Sequence, residues 1–187
     1  STYMQQYGDK VAGKKIEIIY RDDGGSNVEL SKRAAQELIG REKVSFLIGF
    51  SLTPSALAVA PVATQGKVPM IVMNAVTTGI TAKSPYMLRT SMTMQQMTEP
   101  FGDWTAKNKI GKVYSLVSDY STGVDAEARF TKGFTEGGGK IVGSARVPLA
   151  IPDYSPFVQR IKDQKPDAVF FFAPGVEDGV GMLKAYS

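Results

Sequence analysis

The 187 residues contain no cysteine and no histidine, so the side chains able to do chemistry here are hydroxyls and carboxylates. The usual ligands of zinc, haem and iron–sulfur clusters are missing, as are nucleophile–base triads built on imidazole. Among the hydroxyls, Thr53 stands out. It precedes Pro54, which suits a first helical position, and reads as an N-cap. A Thr hydroxyl, the amides of Ser55 and Ala56 and the positive end of a helix dipole together make a seat for a carboxylate. The same Thr equally serves as an ordinary cap with no ligand. Asn74-Ala75-Val76-Thr77-Thr78-Gly79 is a second small, hydroxylated segment. It reads either as a plain turn or as a source of amides and the Thr77 hydroxyl for the same anion. In Asp119-Tyr120-Ser121-Thr122-Gly123 the Tyr120 ring either covers a ligand or plugs the core. Asp119 has no matched second carboxylate, so it reads as a brace rather than a base.

Several function classes fall away on composition. Gly137-Gly138-Gly139 follows a helical pattern and precedes a strand, the reverse of a phosphate cradle, and no dinucleotide fingerprint occurs. The 22 Lys and Arg against 18 Asp and Glu leave a charge of +4. These bases are scattered rather than clustered, which argues against nucleic acid. No apolar run approaches the roughly 20 residues of a membrane span, and no leader peptide is evident. Nothing in the chain calls for a cofactor or metal, and the expectation is a binding protein, not an enzyme.

Positioning these loops requires alternating strands and helices. Ile16–Tyr20, Val44–Ile48, Pro69–Met73, Tyr86–Leu88, Lys112–Val117, Ile141–Val147 and Asp167–Phe172 read as strands. Helices are expected from a Ser26–Glu29 capping box to Gly40, from Thr53 to about Thr64, and over Thr93–Lys107, Asp125–Thr135, Ser155–Asp163 and Val176–Tyr186. The Met92, Met94, Met97 group reads as core or hinge packing, and Trp104 as a buried anchor. Short apolar strands alternating with helices imply an α/β, doubly wound architecture of parallel sheets in three α/β/α layers. Ligands in such folds sit beyond the carboxyl ends of strands. That selects the loops Phe50–Thr53, Asn74–Thr78, Ser118–Gly123 and Ala173–Val176.

An ordered series of segments resembles the type I periplasmic solute-binding proteins of ABC transporters, in their branched-chain amino acid (leucine/isoleucine/valine) branch. It runs Lys15-Ile16-Glu17-Ile18, Arg21-Asp22-Asp23, Ala34-Ala35-Gln36-Glu37-Leu38, Leu47-Ile48-Gly49-Phe50 and Val68-Pro69-Met70. It continues through Ser84-Pro85-Tyr86-Met87-Leu88-Arg89-Thr90, Val117-Ser118-Asp119-Tyr120 and Lys165-Pro166-Asp167-Ala168-Val169. The resemblance implies two lobes, residues 1–91 and 92–187, closing on a small molecule. It implies ligand contacts from Phe50, Thr53, Asn74, Ala75 and Thr77 in the first lobe and from Tyr120, Ala173 and Gly175 in the second. It also implies a periplasmic or otherwise extracytoplasmic location and a membrane permease as partner. Family members are about twice as long, so the chain is expected to be incomplete at both ends, with Ser1–Tyr7 the tail of a helix whose preceding strand is missing. Pro174-Gly175 stands where amino acid binders often carry aromatics, which opens the ligand class to aromatic acids, amides and other small organic acids. A cytoplasmic ligand-sensing domain of a regulator with the same fold is the alternative reading.

Overall fold

A computed structural model describes residues 2–24, 27–149 and 153–187. Two parallel sheets organise it. In the first, β3 (Leu47–Gly49), β4 (Met70–Val72) and β5 (Met87–Arg89) lie in the order β3-β4-β5. Strand periodicity sorts their side chains into two registered rows. Leu47, Met70 and Met87 share one row and are buried with Ala56, Val59, Ala60 and Ala63. Those four belong to α3 (Thr53–Gly66), whose partner α2 (Val28–Gly40) contributes Ala35. Ile48, Ile71 and Leu88 form the opposite row, in which Ile48 is 50% and Leu88 61% exposed. Helices therefore cover one face of this sheet among the described residues.

In the second sheet β6 (Lys112–Ser118) lies between β7 (Lys140–Val147) and β8 (Ala168–Phe172), all parallel. Here both faces are covered. Val113, Val117 and Phe170 pack with Met94 of α4 (Met94–Lys107) and with Ala126, Phe130 and Phe134 of α5 (Ser121–Glu136). Tyr114, Leu116 and Val147 pack with Val158 and Ile161 of α6 (Ser155–Gln164) and Met182 of α7 (Val176–Tyr186). Strands buried on both faces read as near-continuous apolar runs, as Ala168–Phe172 does and as Val113–Val117 does apart from the buried Ser115. Helices α4 and α5 cross backbone to backbone at glycine. A Cβ on Gly102 would stand 2.4 Å from the Phe130 carbonyl oxygen, and one on Gly133 would stand 2.0 Å from that of Glu99.

Several expectations need correction. Ile16–Tyr20 forms no ladder; it faces Phe46–Gly49 across an open groove of about 1290 Å³. Paired strands sit about 4.8 Å apart, so an intervening groove denies both edges their hydrogen bonds. Side chains hold this segment to α2 instead. Arg21 Nη2 lies 2.9 Å from Glu37 Oε1 and 3.3 Å from Glu42 Oε1, and Ser31 Oγ donates to the Asp23 carbonyl at 3.1 Å. Before it, α1 (Thr2–Tyr7) is followed by an antiparallel ribbon of β1 (Lys10–Val11) and β2 (Lys14–Lys15). Ser26 lies outside the described residues; Asn27 caps α2, its Oδ1 accepting the Leu30 amide at 3.0 Å. At α4 the capping box is Thr93 with Gln96. Trp104 is 54% exposed and stacks on Phe101, itself half in solvent, so it is not an interior anchor. Of the three methionines, Met94 alone is buried.

Candidate functional site

The first loop is shaped by backbone rather than side chains. Gly49 and Phe50 have φ of +131° and +68°, and the latter is a sterically costly conformation for a residue with a side chain. It turns the Phe50 carbonyl so that it accepts the Ala75 amide at 3.0 Å, while the Met73 amide donates to Gly49 at 2.7 Å. Asn74 Nδ2 donates to the Ser51 carbonyl at 3.2 Å. The first two loops are thus one unit, with Ala75 buried beneath it and Asn74 on its exposed rim.

Leu52, not Thr53, occupies the N-cap position of α3, and no side chain caps that helix. The amide of Ala56 is already used by the Leu52 carbonyl at 3.2 Å, and Pro54 has no N–H to offer. The Ala56 amide expected in the anion seat is therefore taken up within the helix. This end also presents the Thr53 side chain, 1% exposed and turned toward two other threonines. Thr53 Oγ1 lies 2.7 Å from Thr77 Oγ1, Thr77 Oγ1 lies 2.9 Å from Thr122 Oγ1, and Thr122 Oγ1 donates to Thr53 Oγ1 at 3.0 Å. Each hydroxyl has one proton, so a closed triangle uses all three as donors.

Thr122 was missing from the residues singled out in the sequence. Ser118–Gly123 reads there as a loop, whereas α5 begins at Ser121 with Tyr120 in its N-cap position. The helix starts early because Gly123 lets it abut the strand end: a Cβ there would stand 1.9 Å from the Ser118 carbonyl oxygen. Two helix N-termini without side-chain caps, those of α3 and α5, thereby converge on three hydroxyls. Beside Thr122, Ser121 Oγ is shut off from solvent with no hydrogen-bond partner among the described residues.

A second set of bonds fixes the Asn74–Gly79 segment from all sides. The Thr78 amide donates to Asp125 Oδ2 of α5 at 2.6 Å, and Asp125 Oδ1 pairs with Arg129 Nε at 3.3 Å. Arg89 Nη1 donates to the Thr77 carbonyl at 2.8 Å. The N-terminus of α4 adds the Met94 amide to the Val76 carbonyl at 2.7 Å and the Gln95 amide to Thr78 Oγ1 at 3.1 Å.

Tyr120 is half-buried. Burial pushes its phenol above the ordinary value, against a hydrogen bond with Thr122, and the Asp178 carboxylate adds to the rise. The loop carrying Ala173 and Gly175 ends β8, and no hydrogen bond ties it to the three threonines among the described residues. Gly175, exposed, stands next to Asp178: a Cβ on it would lie 3.0 Å from Asp178 Oδ2. Asp178 Oδ1 accepts the hydroxyl of Tyr154 at 3.2 Å. Burial and then the Asp178 charge push the Tyr154 phenol up to about 12.

Known proteins are similar to this chain along almost its whole length. A Leu/Ile/Val-binding protein homolog 6 of Brucella suis is 46% identical over 184 residues, which are 98% of this chain and 47% of that protein. A solute-binding protein of an ABC transporter from Rhodopseudomonas palustris BisB5, solved in complex with 3,4-dihydroxybenzoic acid, is 53% identical with a TM-score of 0.92. One from R. palustris in complex with 4-hydroxybenzoate is 46% identical with a TM-score of 0.94. The match covers 98% of this chain and 50% of each of those chains. This chain therefore spans about half the length of the relatives it matches. A periplasmic binding protein family model matches residues 3–187, and with the type I fold and these relatives the chain belongs to the periplasmic binding protein family.

Proposed function

We propose that this chain is part of the extracytoplasmic solute-binding component of an ABC transporter, taking an aromatic carboxylate between two lobes, residues 1–91 and 92–187, and handing it to a membrane permease. The observation that carries the reading is the triangle of Thr53, Thr77 and Thr122 hydroxyls at two converging helix N-termini. A carboxylate accepts several hydrogen bonds, and both dipoles favour its charge. Phe50, Asn74 and Ala75 shape the first-lobe side of this seat. Tyr120 walls the second, with Ala173 and Gly175 beyond it. Solved relatives at 46% and 53% identity hold hydroxylated benzoates, which supports such acids over leucine-like ligands. The chemistry is capture and release without turnover: hydroxyls without a base next to them bind an anion but do not activate a nucleophile.

The test is a thermal-shift series on the whole gene product with 4-hydroxybenzoate, benzoate, benzamide and leucine. A ligand that binds the native state raises apparent stability, by about 2.7 kcal/mol at 100 times its dissociation constant. The two benzoates are expected to raise the melting temperature, benzamide is expected not to, and Thr53→Ala or Thr77→Ala should abolish the response. A shift with leucine and none with the benzoates, or no shift at all, overturns the proposal.

A further inference from the structure

Resting on the reading just given, the geometry points to Asp178 as the residue that selects for a hydroxyl on the ligand ring, at the end opposite the carboxylate. Asp178 lies in the first turn of α7, directly after the Ala173–Gly175 loop. An acid there stabilises its own helix, yet Glu177 precedes it in the same turn and supplies that charge on the exposed side. What sets Asp178 apart is its surroundings. Its Oδ1 is engaged by the hydroxyl of Tyr154, a side chain 3% exposed. Its Oδ2 stands over Gly175, close enough that a Cβ at that position would come within 3.0 Å. The tyrosine thus orients the carboxylate, with its second oxygen on the side of the Gly175 loop.

An ionised carboxylate can only accept. With Oδ1 loaded by Tyr154, the complementary group for Oδ2 is a hydrogen-bond donor. On an aromatic acid anchored by its carboxylate, that donor is a ring hydroxyl. Tyr120 stands in the N-cap position of the helix that carries Thr122 and feels the charge of Asp178. The ligand class that fits is an acid with an acceptor group at one end, a flat apolar middle and a hydroxyl donor at the far end. Benzoate itself offers Asp178 no proton and leaves the carboxylate facing an apolar ring edge, which costs affinity.

The test is calorimetric titration of the whole gene product with 4-hydroxybenzoate and with benzoate, for the native protein, Asp178→Ala, Asp178→Asn and Tyr154→Phe. The native protein is expected to prefer 4-hydroxybenzoate by about 10-fold or more. Asp178→Ala should erase that preference by weakening 4-hydroxybenzoate while leaving benzoate no weaker, and tighter to the extent that the unpaired carboxylate opposed it. Asp178→Asn, which keeps one acceptor oxygen, should retain part of it. Tyr154→Phe keeps the carboxylate and should keep most of the preference, which separates ligand recognition from support of the fold. Equal weakening of both ligands in Asp178→Ala, an unaltered preference, or its loss in Tyr154→Phe overturns the assignment while leaving carboxylate binding in place. Failure of the native protein to bind either acid overturns both.

Discussion

Thr122 Oγ1 sits 3.0 Å from Thr53 Oγ1 although 69 positions separate them in the chain. One belongs to the helix after β4's neighbour β3, the other to the helix after β6, so the bond ties the surroundings of one sheet to the other. Replacing Thr122 by Val keeps the shape and removes one donor and one acceptor. The expected result is a loss of about 1 kcal/mol in unfolding free energy and at least a 10-fold rise in Kd for an aromatic carboxylate. Urea unfolding and calorimetry on the same preparation read both numbers. Unchanged affinity would show that Thr122 is structural alone.

Asp125 is the second tie. Its carboxylate accepts the Thr78 amide at 2.6 Å while pairing with Arg129. Hydrogen bonds to a charged acceptor contribute about 1.5–3 kcal/mol. Asp125→Ala should lower stability by an amount near the bottom of that range, because Asp125 is partly solvated. Asp125→Asn, whose oxygen still accepts, should restore most of it. Amide exchange at Thr78 should quicken in the alanine variant and far less in the asparagine one.

Two glycine-to-alanine changes are expected to act in opposite directions. At Gly133 a Cβ would be driven into the Glu99 carbonyl at 2.0 Å, forcing α4 and α5 apart at a cost of about 1–3 kcal/mol. At Gly179, inside α7, a Cβ would meet nothing within 4 Å. Alanine there should stabilise by about 0.5–1 kcal/mol through helix propensity and a less flexible unfolded chain. Chemical denaturation midpoints decide both signs.

Tyr154 predicts a pH effect. Its folded value, about 12, lies above its ordinary 10.0. Folding therefore disfavours the ionised phenol, and the contribution to stability is complete below pH 10 and is lost as pH rises toward 12. Tyr154→Phe should flatten the stability profile over that alkaline window and leave its acid side unchanged. A tyrosinate titration by ultraviolet absorbance should show one late-ionising group fewer.

Much of the architecture was legible because its physics is local. Apolar runs and caps placed β4, β6, β8 and all of α7 within a residue or two. That Thr53 and Thr77 come together was legible as well, since both follow strands of one parallel sheet. Other features depended on distant parts of the chain. Thr122 hid inside a segment rich in loop-forming residues, and only the seating of Gly123 on Ser118 turns that segment into helix. The isoleucine-rich run Ile16–Tyr20 is a genuine strand signal, yet a strand needs a neighbour, and this segment faces a groove. Trp104 misled because residue type alone suggested burial, whereas α4 turns that side outward.

The closed hydroxyl triangle also bears on the thermodynamics of capture. With every proton already committed, a carboxylate bound as proposed would exchange bonds instead of adding them, and the net bond enthalpy would be correspondingly small. On that reading affinity draws on removal of the aromatic ring from water, whose mark is a negative heat-capacity change on binding. Titrations at several temperatures would find the heat of binding growing more exothermic on warming, while the hydroxyls mainly decide which ligands are admitted.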